Sequence, residues 1–174
     1  MISGEITLED VLELLDLLER SGVEVTVDGG WGVDALLGRQ TRSHLDLDIA
    51  IPARDLQITR ECLIAAGFVE IDTPDRWEHN FVMQDHRLRR VDVHSYLLDG
   101  QGNNAGGVTY EGRHLNGTGA VGGRPVRCIP VDVMIEFHSG YELDVGDFAD
   151  VLALCQAFDR PLPAEYERFR AQDP

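Results

Sequence analysis

Asp28-Gly29-Gly30-Trp31-Gly32-Val33-Asp34-Ala35-Leu36-Leu37-Gly38-Arg39-Gln40-Thr41-Arg42-Ser43-His44-Leu45-Asp46-Leu47-Asp48-Ile49 is the stretch from which the rest of the chain can be read. Val23 to Val27, just before it, alternates apolar and polar residues as a strand does. The Asp-Gly-Gly-Trp-Gly run breaks that strand sharply, and a short helix is expected from Val33 to Leu37, stopped by Gly38. A second strand is expected from Leu45 to Ile51, ended by Pro52. Side chains alternate along a strand, so Asp46 and Asp48 fall on one face while Leu47 and Ile49 fall on the other.

Working outward, Thr7 opens a first helix, with Asp10 in the capping-box position and Leu8, Val11, Leu12, Leu15 and Leu18 at helical spacing. A helix from about Arg54 to Ala66 follows the Asp-containing strand. Phe68–Ile71, His79–Met83 and Leu88–Leu97 have strand composition. Residues 100–107 read as a loop, and Val108–Leu115 and Arg124–Ile129 as two further strands around a glycine-rich turn. Pro130 opens a helical segment to about His138. Asp144 caps a last helix with the apolar stripe Val145, Phe148, Val151, Leu152, Cys155 and Phe158, before a short charged tail. The expectation is one α/β (α+β) domain over residues 1–174, a mixed sheet flanked by helices, with a helical C-terminal portion from about residue 130.

Composition narrows the chemistry. The 174 residues carry a formal net charge of −16, which argues against a nucleic-acid binder, because phosphate backbones need a basic surface. The same field would steer a cationic acceptor. All 15 basic residues are arginine, so a lysine-dependent P-loop is excluded. The three cysteines lack zinc-ligand spacing, and their sparse, odd count suggests a reducing compartment. With no apolar run near 20 residues, the expectation is a cytoplasmic chain with no membrane partner.

Three carboxylates carry the catalytic reading. Asp46 and Asp48 share a strand face, and Asp92 sits on another apolar strand, Arg90-Val91-Asp92-Val93-His94. Burying carboxylates on such strands is costly unless they are paired or bind metal. If the two strands are neighbours, the three aspartates converge on a site for two divalent cations, with hard oxygen ligands favouring Mg²⁺. The alternative for Asp46 and Asp48 is a solvated strand face. The Gly29-Gly30 turn at a helix start lets backbone N–H groups approach a phosphate.

Gly29-Gly30, then Asp46-Leu47-Asp48-Ile49, then Asp92 on a later strand resembles the DNA polymerase β-like nucleotidyltransferase superfamily. The full run Asp28–Ile49 and the late segment Phe137-His138-Ser139-Gly140-Tyr141-Glu142-Leu143-Asp144 are similar to the small lincosamide nucleotidyltransferases, and the aminoglycoside 2″-nucleotidyltransferases carry a similar run. The spacing between Gly30 and Asp46 exceeds the minimal superfamily pattern, and the antibiotic-modifying branches share that longer spacing. The resemblance implies the polymerase β-like fold and transfer of a nucleoside monophosphate, AMP from ATP or another NTP, to a hydroxyl of a lincosamide antibiotic, with release of pyrophosphate. It implies metal ligation by Asp46, Asp48 and Asp92, with Asp92 also able to take the hydroxyl proton. Nucleotide contacts would come from Gly29, Gly30, Trp31, Arg42 and His44, and acceptor contacts from Tyr141, Glu142 and His94. For Arg42 the alternative is a surface salt bridge; for His94, a structural hydrogen-bonding role. An aminoglycoside acceptor, or a toxin-type enzyme acting on a macromolecule, stays open. The related enzymes are compatible with a homodimer.

Overall fold

The computed structural model describes residues 4–139 and 141–170, so Gly140 of the late motif and the two chain ends lie outside the described residues. α1 (Leu8–Arg20) begins with the capping box expected of Thr7 and Asp10. β1 is short, Thr26–Val27. α2 (Gly29–Leu37) then starts four residues earlier than Val33. The glycine pair is therefore the first turn of the helix rather than a loop before it. Asp28 makes this possible as N-cap, since its carboxylate takes the Gly29 N–H at 2.7 Å.

β2 (Leu47–Pro52) leads through a 3₁₀ turn into α3 (Leu56–Ala65). β3 (Val69–Ile71), β4 (Asn80–Gln84) and β5 (Arg90–Leu98) follow within two residues of the expected bounds. The segment read as a loop contains β6 (Asn104–Gly107), which pairs antiparallel with the far end of β5. Val108–Leu115 is not a strand. It holds a 3₁₀ turn at Gly112–His114, and the hairpin strand is β7 (Gly117–Val121), which pairs with β8 (Arg124–Cys128). The Gly122-Gly123 turn, both residues at positive φ, sets that register. α4 (Val131–Phe137) and α5 (Val145–Phe158) close the domain, and Asp144 and Asp147 form the expected capping box. The tail holds a short helix, α6 (Glu167–Arg170), and is anchored by Tyr166. That residue is fully buried and donates its hydroxyl to the His138 carbonyl.

One mixed sheet organises the molecule, in the order β3-β4-β5-β2-β1-β8-β7. β2 pairs antiparallel with β1 on one side and parallel with β5 on the other, a crossover that brings two distant segments together at the sheet centre. Leu47, Ile49, Val91 and Val93 face α1 and join the main core with Leu14, Leu15, Leu18 and Phe81. Ala50 and Tyr96 face the other way, into a second cluster with Tyr110 and Met134. That second face carries the polar site.

Candidate active site

The parallel pairing of β2 with β5 places Asp48 opposite Asp92, Leu47 opposite Val91 and Ile49 opposite Val93. The alternation expected from sequence therefore holds on both strands at once. The apolar partners enter the core, and the carboxylates meet on the opposite face. His94, two residues beyond Asp92, joins them: ligand atoms from Asp48, Asp92 and His94 all lie within 4.8 Å of one another. Asp46 sits one residue before β2 begins, outside this tightest set, yet its charge acts directly on Asp48.

The electrostatics of the cluster follow from crowding. Burial, and then the neighbouring Asp46 charge, push the Asp48 carboxyl up to about 8. Asp46 is raised by burial and then by Asp92. Burial by itself pulls the His94 imidazole down, but the Asp92 contact and the charges of Asp92, Asp48 and Asp28 outweigh it and hold the ring up at about 9. Asp92 Oδ1 is buried without a hydrogen-bond donor, although His94 Nε2 lies 3.3 Å away. An orphaned carboxylate oxygen among crowded carboxylates is the environment that a divalent cation relieves. The oxygens of Asp48 and Asp92 fit such an ion.

Above the carboxylates stands the N-terminus of α2. Gly29 adopts φ +55°, and a Cβ there would collide with the Asp48 carboxylate. A Cβ on Gly30 would strike the His44 ring and come within 3.1 Å of the Arg42 guanidinium. Both glycines are thus required by close approach, and the first also by backbone conformation. Gly30 and Trp31 supply first-turn N–H groups for which a helix has no internal carbonyl.

Several expected residues take other positions. Trp31 lies inside the helix, 1% exposed, with its indole against His44, so its side chain is part of the core and offers a ligand only its backbone. His44 is also buried, with Nε2 2.5 Å from Asp34, and braces the loop after α2 from within. Arg42 forms a two-pronged pair with Asp150 of α5: Nε to Oδ1 at 3.0 Å and Nη2 to Oδ2 at 2.7 Å. The salt-bridge reading of Arg42 is correct, but its partner is nearly fully buried, and the guanidinium still lies against Gly30. Tyr141 is half exposed and donates to Asp147 at 2.8 Å rather than to any of the three aspartates; Glu142 is exposed. Their segment stays on the Arg42 side, since the charge of Asp144 acts on that guanidinium.

Sequence reading missed two residues. Asp28 is buried with both oxygens engaged, Oδ1 by the Gly29 N–H and Oδ2 by the Tyr110 hydroxyl at 2.6 Å. Its position as N-cap before Gly-Gly was a usable signal. Tyr110 gave none, because it arrives from a segment misread as strand. Its hydroxyl also lies 3.3 Å from His94 Nδ1. Tyr110, His94, Trp77, Asn80 and Phe137 line a cleft of about 550 Å³ that opens beside the carboxylates, a volume suited to a drug-sized molecule.

Residues 10–154 match the family model described as aminoglycoside-2″-adenylyltransferase. The chain belongs to this family. It is therefore a nucleotidyltransferase of the polymerase β-like fold. It is 30% identical over 159 residues to a lincosamide resistance protein of Staphylococcus haemolyticus, covering 87% of this chain and 96% of that one. Among solved structures it resembles the lincosamide antibiotic adenylyltransferase LnuA in its lincomycin-bound form. The TM-score is 0.75 at 27% identity, over 86% of this chain and 97% of LnuA. ANT(2″)-Ia in complex with adenylyl-2″-tobramycin shares the fold, with a TM-score of 0.70 at 19% identity over 95% of each chain. Among the described residues of this family member, no helix is long and apolar enough to cross a membrane.

Proposed function

We propose that this nucleotidyltransferase moves AMP from ATP onto a hydroxyl of a lincosamide antibiotic and releases pyrophosphate, with residues 1–174 acting as one catalytic domain. The observation that carries the reading is the register of β2 on β5. It sets Asp48 against Asp92 directly below a helix N-terminus and beside a drug-sized cleft. Near-full-length similarity to a lincosamide resistance protein favours that acceptor class over an aminoglycoside.

Each residue has a part in this scheme. Asp46, Asp48 and Asp92 would hold Mg²⁺, which when bound supplies charge neutralisation at the triphosphate and acidifies the attacking hydroxyl. Gly29 and Gly30 bring backbone N–H groups and the positive helix end to the phosphates. Arg42, aligned by Asp150, adds a cation at the same end. The acceptor occupies the cleft walled by Trp77, Tyr110 and Phe137, which orients its hydroxyl for in-line attack. Asp92 would also accept the hydroxyl proton. Tyr141 and Glu142, on the segment leading into α5, would add contacts to the acceptor. A cytoplasmic location fits the use of ATP.

Mass spectrometry tests the assignment. Lincomycin and tobramycin are each incubated with the protein, Mg²⁺ and each NTP in turn. The expected product is lincomycin heavier by one nucleoside monophosphate residue, formed best with ATP. An adduct on tobramycin alone would move the acceptor to the aminoglycosides, and no adduct on either would refute the antibiotic reading.

A further inference from the structure

We propose that His94 is a nitrogen ligand of the cation held at Asp48 and Asp92, and that Tyr110 fixes the ring tautomer that makes it one. The proposal rests on the reading of this site as a metal site.

The first observation is a contact that is not a hydrogen bond. His94 Nε2 and Asp92 Oδ1 stand 3.3 Å apart, yet the ring N–H direction does not point at that oxygen, which is buried without a donor. Two atoms that ligate one cation at about 2.1 Å each lie about 3.0–3.4 Å apart, aimed at the shared ion rather than at each other. The pair has that separation and that misalignment. Asp48, opposite Asp92 in register, brings a third ligand atom within 4.8 Å of both.

The second observation concerns the other ring nitrogen. The Tyr110 hydroxyl has one proton, and it is committed to Asp28 Oδ2 at 2.6 Å. Toward His94 Nδ1, 3.3 Å away, the same oxygen can only accept. Once Nε2 gives up its proton to the cation, His94 therefore keeps the other on Nδ1 and presents the Nε2 lone pair to Asp48 and Asp92. Hydrogen bonds of this kind orient metal-bound histidines and are conspicuous determinants of affinity. Asp28 keeps its two oxygens on the Gly29 N–H and the Tyr110 hydroxyl.

An imidazole changes which ion the site prefers. Mg²⁺ takes oxygen ligands almost exclusively, whereas first-row transition ions accept nitrogen readily. The structure thus points to a site that binds Mn²⁺ more tightly than Mg²⁺.

Pulsed EPR of the full, untagged chain loaded with Mn²⁺ alone tests this. Nucleotide is omitted because its own nitrogens would contribute to the spectrum. The expected result is the ¹⁴N modulation of a directly bound imidazole in the wild type and its loss in His94→Gln. In Tyr110→Phe, which keeps the ring packing, the Mn²⁺ dissociation constant should rise about tenfold. If Mn²⁺ binds in an Asp48-dependent manner without nitrogen coupling, the His94 assignment falls and the metal site stands. If Mn²⁺ does not bind at all, both fall. Unchanged Mn²⁺ affinity in Tyr110→Phe overturns the role of the phenol. The wild-type spectrum decides the ligand even if His94→Gln does not fold.

Discussion

Gly29→Ala and Gly38→Ala form a matched pair that isolates what Asp48 does. The two glycines sit at opposite ends of α2, with φ values of +55° and +68°. An alanine forced into left-handed backbone costs roughly 1–2 kcal/mol at either place. For a chain of this size that is a fall in Tm of about 2–8 °C. The surroundings differ completely. Around Gly38 a Cβ meets nothing within 4 Å, whereas at Gly29 it would overlap the Asp48 carboxylate and stand 3.0 Å from the Asp48 Cβ. The helix end is pinned by Asp28, so the Asp48 side chain must rotate away. A displacement near 1 Å in a catalytic constellation can remove about 100-fold in rate, equivalent to about 2.7 kcal/mol of transition-state stabilisation. Both variants should therefore lose similar Tm, while kcat falls about 100-fold in Gly29→Ala alone. Thermal melts and lincomycin adenylylation rates would be measured side by side. Equal turnover in the two variants would refute the claim that Gly29 is kept small to seat Asp48.

The other expectations can be checked with the same assays. Asp48→Asn should abolish turnover yet leave Tm in chelator unchanged or higher, because the folded carboxyl is held up at about 8, so the acid weakens folding progressively as pH rises from 3.8 and fully above about 8; a lower Tm would show Asp48 to be structural. Arg42→Met strips Asp150, 2% exposed, of its partner. The loss should be about 2–3 kcal/mol, below the range for fully buried pairs because water reaches Arg42. Arg42→Met/Asp150→Leu should recover most of the stability but not the KM for ATP; recovery of both would leave Arg42 no phosphate role. Acid should unfold the chain through Asp10 and Asp85. Both are opposed by burial, but Asp10 is held low by Thr7, Arg87 and Arg89, and Asp85 by Arg89. With the folded value below the ordinary 3.8, their contribution is complete above that pH and is lost as pH falls through the folded value. Urea midpoints should drop over that range, and Asp85→Asn should flatten the slope; an identical slope would exclude Asp85 as a source.

The parts of the site legible in sequence were those written in local periodicity. Alternation on Leu45–Ile51 and on Arg90–His94 gave the face of each aspartate, and the parallel register of β2 on β5 joined the two faces. What stayed hidden depended on contacts across the chain. Arg42 and Asp150 are 108 residues apart, and Tyr110 and Asp28 are 82 apart. Neither pair has a spacing rule. Trp31 and His44 are buried for other reasons. The helix begins at Gly29 instead of Val33, which puts Trp31 on its inward face, while His44 is drawn in from the following loop by Asp34. The Val108–Leu115 error has a similar origin: strand-like composition lost to a segment whose polar groups are satisfied by β6, through Asn104 bonding to the carbonyls of Val108 and Tyr110.

The fold also contains a second crowded acidic cluster, and the difference between the two argues for function at the first. Asp10, Glu13 and Asp85 converge on Arg89, with Arg87 added at Asp10, and the contacts lie between 2.7 and 3.2 Å. Guanidinium donors reach every one of these carboxylates, so the cluster fastens α1 to the β4–β5 turn and offers nothing to a ligand. Among the described residues no arginine is paired with Asp48 or Asp92, and His94 lies beside Asp92 instead. An oxygen of Asp92 stays without a donor, and Asp48 is held in a protonation range where it resists its own charge. Evolution had arginine to place and used it freely elsewhere on this chain. A carboxylate pair with one imidazole beside it and no guanidinium, set at the centre of the sheet under the positive end of a helix, makes physical sense when the rest of its countercharge arrives with the substrate.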